Sequence, residues 1–303
     1  MLHTPVLLNE VIKFLDPRLG QFVVDGTVGG AGHSREILNR IGLTGKLLGI
    51  DLDKERIENC KLKIGNYTNV ILVHGNYANL PAILKKYKLG KADGLLLDLG
   101  FSSEQLHGRG VSFSEDEPLD MRYDAKSQIP NYKSQNWQTA ADIINRAGEK
   151  ELTDIIWKYG EERFSRRIAG KIVEARKKKR IITTFDLAEI VKSAVPRYYE
   201  RGRIHPATRT FQALRIYVNS ELENLETLLK NLPQIMSEGG RAVIISFHSL
   251  EDRLVKNYFR DMAKAGKVEI LTKKPVTPAA GEITKNQRSR SAKLRAAVIH
   301  NNF

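Results

Sequence analysis

Short runs of consecutive apolar residues, each closed by Gly, Asp or Asn, alternate with amphipathic stretches through the first hundred positions. The runs at 22–25, 47–51, 70–75 and 94–99, with a later one at 242–247, show no apolar/polar alternation. A strand of that kind is covered on both faces, as in a parallel sheet sandwiched between helices. Between the first three runs, HSREILNRI and KERIENCKLKI place apolar residues at helical spacing. The resulting βαβαβ order predicts a doubly wound sheet that takes ligands at the carboxyl ends of its strands.

This alternation stops after Leu99 and resumes near Phe211, leaving about a hundred residues of helical periodicity and charge. The expected organisation is a core in two parts, 1–104 and 211–303, with an inserted, mainly helical domain at 105–210. The insert contains LTDIIWKYGEERFSRRIAGKIVEARKKKRI and then TTFDLAEIVKSAV, whose Thr184 is a plausible helix cap. The aperiodic stretch 111–137 reads as an ordered loop or lid. Beyond Phe211, FQALRIYVNSELENLETLLKNLPQIM reads as a helix of the core. A Gly-Gly turn then leads into AVIISF, and KLRAAVIHNNF forms a closing strand that folds back. A class I methyltransferase sheet needs that hairpin; a nicotinamide-binding sheet does not.

Three strand ends carry candidate chemistry. VVDGTVGGAGHS leaves the first strand and enters a helix near Ser34, with Gly26, Gly29, Gly30 and Gly32 permitting close backbone approach to a ligand at the helix N-terminus. Dinucleotide-binding proteins use a similar loop, so the glycines alone leave nicotinamide, flavin and S-adenosylmethionine open. Asp51 ends the second strand, where a carboxylate can accept both ribose hydroxyls of either ligand. Asn76 and Tyr77 follow the third, where an adenine could be hydrogen-bonded and stacked. Asp98 ends the fourth, at the reactive end of the ligand. Asp98-Leu99-Gly100-Phe101 has the layout of the Asp-Pro-Pro-aromatic motif of DNA amino-methyltransferases, without its prolines. In that reading Asp98 orients an amine; in the plainer one it only binds cofactor.

Charge narrows the partner. Lysine and arginine outnumber acids by 49 to 35, a net charge of +14, which points to a polyanion. With no apolar run long enough to span a bilayer and no signal layout, the expectation is a cytoplasmic protein with no membrane partner. The one cysteine, Cys60, reads as a half-buried helix residue and excludes an internal disulfide and a thiolate-based metal cage. The histidines lack metal-ligand spacing, so no metal is expected. From 163 to 180 nine basic residues face a single acid, Glu174. Arg163, Arg166, Arg167 and Lys171 are candidate phosphate contacts there, with Arg201 and Arg203 beside Tyr198, Tyr199 and His205 further on.

DGTVGGAGHS, GIDLD, HGNYANL, DGLLLDLGFSSEQL, PLDMR, HPATRTFQALRIYVNSEL, GGRAVIISFHSLEDRLVKNYF and NQRSRSAKLR occur in this order from near the start to the C-terminus. Together they resemble the ribosomal RNA small-subunit methyltransferase H family, also called MraW. The resemblance implies a class I, Rossmann-like S-adenosylmethionine-dependent methyltransferase that N4-methylates a cytidine in the decoding centre of 16S ribosomal RNA. It implies cofactor contacts at Ala31, Gly32, His33, Asp51, Tyr77, Asp98 and Gln105, to which the loop adds Gly30. Its implied partner is the assembled small ribosomal subunit; a homodimer is also allowed. VGGAGH, Tyr77 and NQRSRS depart from the usual family pattern.

Overall fold

Runs of valine, leucine and isoleucine fill the centre of a seven-stranded sheet in the computed structural model, which describes residues 5–100, 108–123, 139–196, 198–199 and 205–300. Its strands are β1 (Phe22–Asp25), β2 (Lys46–Asp51), β3 (Val70–His74), β4 (Ala92–Asp98), β5 (Met236–Ser246), β6 (Val268–Ile270) and β7 (Lys293–Ile299). They lie in the order β3-β2-β1-β4-β5-β7-β6. The first five are parallel to one another, and β7 runs antiparallel to both β5 and β6. This is the class I methyltransferase sheet with its returning strand. Val23, Val24, Leu47, Leu48, Ile50, Leu95, Leu96 and Leu97 have no solvent exposure, as unalternating strands require.

The chain moves outward from β1 to β3 and then crosses back to β4 on the other side of β1. That reversal opens a crevice at the carboxyl ends of β1 and β4, where ligands of doubly wound sheets bind. The helices of this half include α1 (Leu8–Leu15), α2 (Gly32–Ile41), α3 (Lys54–Ile64) and α4 (Leu80–Lys86). In α3 the buried residues are Ile57, Cys60 and Ile64, at helical spacing, and Asp53 caps its start by accepting from the Glu55 amide.

Two compact units result: Met1–Gly100 with Leu222–Phe303, and Phe101–Glu221. The second contains α5 (Ala140–Arg146), α6 (Glu149–Gly160), α7 (Ser165–Arg176), α8 (Thr184–Ala194) and α9 (Thr208–Asn219). Leu152, Ile156, Ile168, Ile172, Leu187, Val191 and Leu214 form its core.

Several elements differ from the sequence reading. The run after Phe211 is not one core helix: it breaks at Ser220, φ 49°, into α9 and α10 (Glu221–Ile235). The first of these, α9, packs on α6 inside the second unit, because Gly160 leaves room for the Arg209 backbone, where a Cβ would come within 2.6 Å of the carbonyl oxygen. Thr183, not Thr184, caps α8; Thr184 is the first helical residue, buried, and its hydroxyl donates to the Glu115 carbonyl. Gly239 and Gly240 lie within β5 rather than before it, opposite a register shift between Ala92 and Gly94. The remaining helices are α11 (Ser249–Lys264) and α12 (Ala280–Lys285). No helix among the described residues is long and apolar enough to cross a membrane.

Candidate active site

The loop after β1 is drawn tight by backbone bonds to both neighbouring strands. Gly26 N–H donates to the Leu96 carbonyl and Val28 N–H to the Ile50 carbonyl, each at 2.9 Å. At Gly26 a Cβ would stand 2.5 Å from Leu97 Cδ2, so only glycine lets the loop pass over β4. Gly29 has φ 49°, and Ala31 takes the same left-handed region at φ 64° without glycine's freedom, a strained conformation at the entrance to α2. The strain is held by contacts from beneath. Cys60 is fully buried, not half-buried, and its thiol donates to the Gly29 carbonyl at 2.9 Å. Burial and the nearby Asp51 and Asp25 push that thiol up to about 12, so it stays protonated and remains a donor.

Asp51 ends β2 directly beside this loop. Its Oδ2 accepts from Gly29 N–H at 3.0 Å and its Oδ1 from Asp53 N–H at 2.9 Å, with Arg56 Nη1 3.6 Å away. Burial raises its pKa, against the pull of Arg56 and the two amides. A carboxylate offers about four lone-pair sites, so two amides leave acceptor capacity for hydroxyls. Tyr77 is buried at the end of β3. Asn76 Oδ1 accepts from Ala78 N–H at 2.8 Å and caps the short turn Tyr77–Asn79.

A second group of side chains lies at the β1–β4 reversal. Asp25 is 1% exposed and accepts from Ser34 Oγ at 2.6 Å and Thr27 N–H at 3.2 Å. Burial pushes its carboxyl up to about 6, although Ser34, His33 and Thr27 pull the other way. Thr27 Oγ1 accepts from the Asp98 amide at 2.7 Å, tying the end of β4 to the glycine loop. His33, in the first turn of α2, bonds the Val6 carbonyl through Nε2 at 2.9 Å and places Nδ1 3.8 Å from Asp98 Oδ2. Gly100 must be glycine, since a Cβ there would stand 2.6 Å from the Phe247 ring. The structure thus brings Gly30, Ala31, Gly32, His33, Asp51, Tyr77 and Asp98 to neighbouring strand ends. Gln105 and Phe101 lie outside the described residues. Asp25, which the sequence reading passed over, is as central as any of these; its signal was a carboxylate at a strand end directly before the glycines.

In the second unit the basic run divides by use. Arg176 Nη1 donates to the Ile144 and Ala147 carbonyls at 2.7 Å each, closing the C-terminal end of α5. Lys171 pairs with Glu174, Lys179 with Asp186 and Arg180 with Asp142. Arg163 stacks on Phe164 and Tyr199, 4.8 and 5.2 Å from the ring centroids, and Arg167 approaches Phe164 at 5.8 Å. The completely buried Glu162 holds this stack by accepting from Phe164 N–H and Tyr199 Oη. Arg166, Lys177 and Lys178 have no ion pair among the described residues; Arg201 and Arg203 lie outside them.

Residues 1–300 match the MraW methylase family. The ribosomal RNA small subunit methyltransferase H of Persephonella marina is 46% identical over 297 residues, covering 97% of this chain and 98% of that one. The protein of the same name from Thermotoga neapolitana is 47% identical over 303 residues, covering 98% and 96%. That from Geotalea uraniireducens is 45% identical over 313 residues, covering 97% of each.

Proposed function

The chain belongs to the MraW methylase family, and on that premise we propose that it methylates N4 of a cytidine in the decoding centre of 16S ribosomal RNA, using S-adenosylmethionine and acting on the assembled small subunit. The observation that carries this reading is the pair of carboxylates, Asp51 and Asp98, at the ends of β2 and β4 on either side of the strained loop after β1. The residues present suit the cofactor. Gly30 leaves space, with Lys63 Nζ, at 3.9 Å, alone among the described residues near the position of a Cβ. Asp51 keeps acceptor capacity for ribose hydroxyls, and the N-terminus of α2 offers backbone amides to a carboxylate. Gly30, Ala31, Gly32, His33, Asp51 and Tyr77 would hold it, with Gln105 carried over from the family pattern.

When bound, S-adenosylmethionine supplies an electrophilic methyl on a sulfonium. This chain's task is to hold the acceptor nitrogen in line, about 3 to 3.5 Å from that carbon. A cytosine amine has its lone pair delocalised into the ring. Asp98, accepting one of its N–H groups, would turn the nitrogen toward a shape with a freer lone pair. Asp98 would also be placed to accept the proton that the amine must shed on methylation. Mass spectrometry of small-subunit RNA nucleosides, with and without the protein, tests the reading: N4-methylcytidine should depend on the wild-type chain and be lost with Asp98→Asn. A methyl on carbon 5 or a ribose oxygen would overturn it.

The second unit would dock the RNA through Arg163, Arg166, Arg167 and Lys171, joined by Arg201 and Arg203. The support is its basic surface and Arg163 lying over the rings of Phe164 and Tyr199, since stacked rings and guanidinium groups suit exposed bases and phosphates. Neutralising the first four together should leave cofactor affinity intact. Every cation that neutralises a phosphate contributes about 0.7 to 0.9 to the slope of log K against log salt, so the slope should flatten by that amount for each one removed. An unchanged slope would return these charges to a solvated helix face.

A further inference from the structure

The imidazole behind Asp98 has its tautomer set by a residue distant in sequence. The Val6 carbonyl can only accept, so His33 Nε2, 2.9 Å from it, carries the hydrogen. In the neutral ring, Nδ1 then presents a lone pair. That lone pair lies 3.8 Å from Asp98 Oδ2, itself an acceptor, with the two side chains 8% and 19% exposed. A proton arriving on Asp98 would therefore have this basic nitrogen beside it.

We propose that His33 is the relay that takes the proton Asp98 removes from the acceptor amine. This rests on the reading of Asp98 given above and extends it to the fate of the proton. The amine N–H bond breaks toward Asp98 as the nitrogen gains the methyl group. The Asp98 O–H bond then breaks toward Nδ1, leaving an imidazolium and regenerating the carboxylate. Among the described residues, the groups facing that imidazolium are Asp98 from β4, Asp25 from β1 and the Val6 carbonyl, all of which favour its charge. Opposing them is the N-terminal end of α2, where a cation is disfavoured, so the proton is not trapped and passes to solvent when product leaves.

The N-terminal segment holds this geometry. Leu7 has φ 54° and donates its amide to Glu282 at 2.8 Å, and Pro5 presses so closely on α2 that a Cβ on Gly32 would stand 2.3 Å from its ring. Val6 is buried, so its carbonyl cannot exchange the imidazole for bulk water at no cost.

His33→Gln separates the relay from packing, because its side-chain amide keeps a donor for Val6 and lacks a basic nitrogen. Because His33 also belongs to the cofactor site, the variants are compared with S-adenosylmethionine saturating, as fixed by calorimetry for each, and small-subunit binding should be unchanged. Single-turnover methyl transfer should fall roughly ten- to a hundredfold. A larger solvent deuterium isotope effect should accompany it, since loss of the proton from Asp98 becomes limiting. A wild-type rate and isotope effect in His33→Gln overturns the relay. So does a rate loss that tracks weakened cofactor affinity with no isotope change, which would make His33 a binding residue only. Asp98→Asn at the wild-type rate would instead remove the reading on which the relay rests. Nitrogen NMR of the wild-type ring supplies an independent check: hydrogen on Nδ1 alone contradicts the assignment.

Discussion

Asp25 shows how much a single carboxylate contributes when burial and hydrogen bonding oppose each other. Its pKa stands near 6 in the folded chain, above the ordinary 3.8, so the folded state binds a proton more tightly than the unfolded one. The associated stability is full below the unfolded value and is lost as pH rises through 6. Over that window the loss is on the order of 3 kcal/mol. Asp25→Asn should remove most of this slope between pH 4 and 6, read from urea unfolding across that range; an unaltered slope would mean the carboxyl is not held neutral. Asp51 bears on ligand binding. Asp51→Ala removes both a cofactor acceptor and the partner of the Gly29 and Asp53 amides, so calorimetry should show S-adenosylmethionine binding weakened by roughly 1.5 to 3 kcal/mol. Asp51 and Asp98 were legible in the sequence because each closes an apolar run. The His33–Val6 bond was not, since nothing local in HSREIL or TPVLL encodes a contact across 27 positions.

At the scale of the element, the basic run from Arg163 to Arg180 shows why charge counting overstates a binding surface. Arg176 belongs to the helix scaffold, satisfying two carbonyls at the end of α5 that would otherwise lack donors. Arg176→Gln should therefore destabilise the second unit by about 1 to 3 kcal/mol while leaving RNA affinity and its salt slope unchanged. Arg166→Gln should do the reverse, lowering the salt slope with little effect on thermal unfolding. Equal effects of the two on RNA affinity would show that the division by use is wrong. The helix ends at Glu161 and Ser220 were illegible for a related reason. Both take left-handed conformations, φ 50° and 49°, without the glycine that ordinarily announces such a cap, so the apolar periodicity runs through the break.

For the whole molecule, the net charge of +14 speeds encounter with a polyanion but says nothing about which residues dock. Ligand linkage gives a sharper expectation. At a concentration of S-adenosylhomocysteine a hundred times its dissociation constant, the unit carrying the sheet should gain about 2.7 kcal/mol. Hydrogen exchange should slow first in the segment from Gly26 to Ser34; protection confined to the second unit would misplace the cofactor. The sequence by itself determined the parallel strands, the closing hairpin, the glycine loop and the two strand-end carboxylates, because burial on both faces and tight turns constrain residues that are neighbours in the chain. Tertiary structure decided that α9 joins the helical unit, that Cys60 supports Gly29, that Arg176 is consumed in capping and that His33 turns its lone pair toward Asp98. Each of those pairings joins positions far apart in sequence, and only the packing of one element on another specifies which side chains meet.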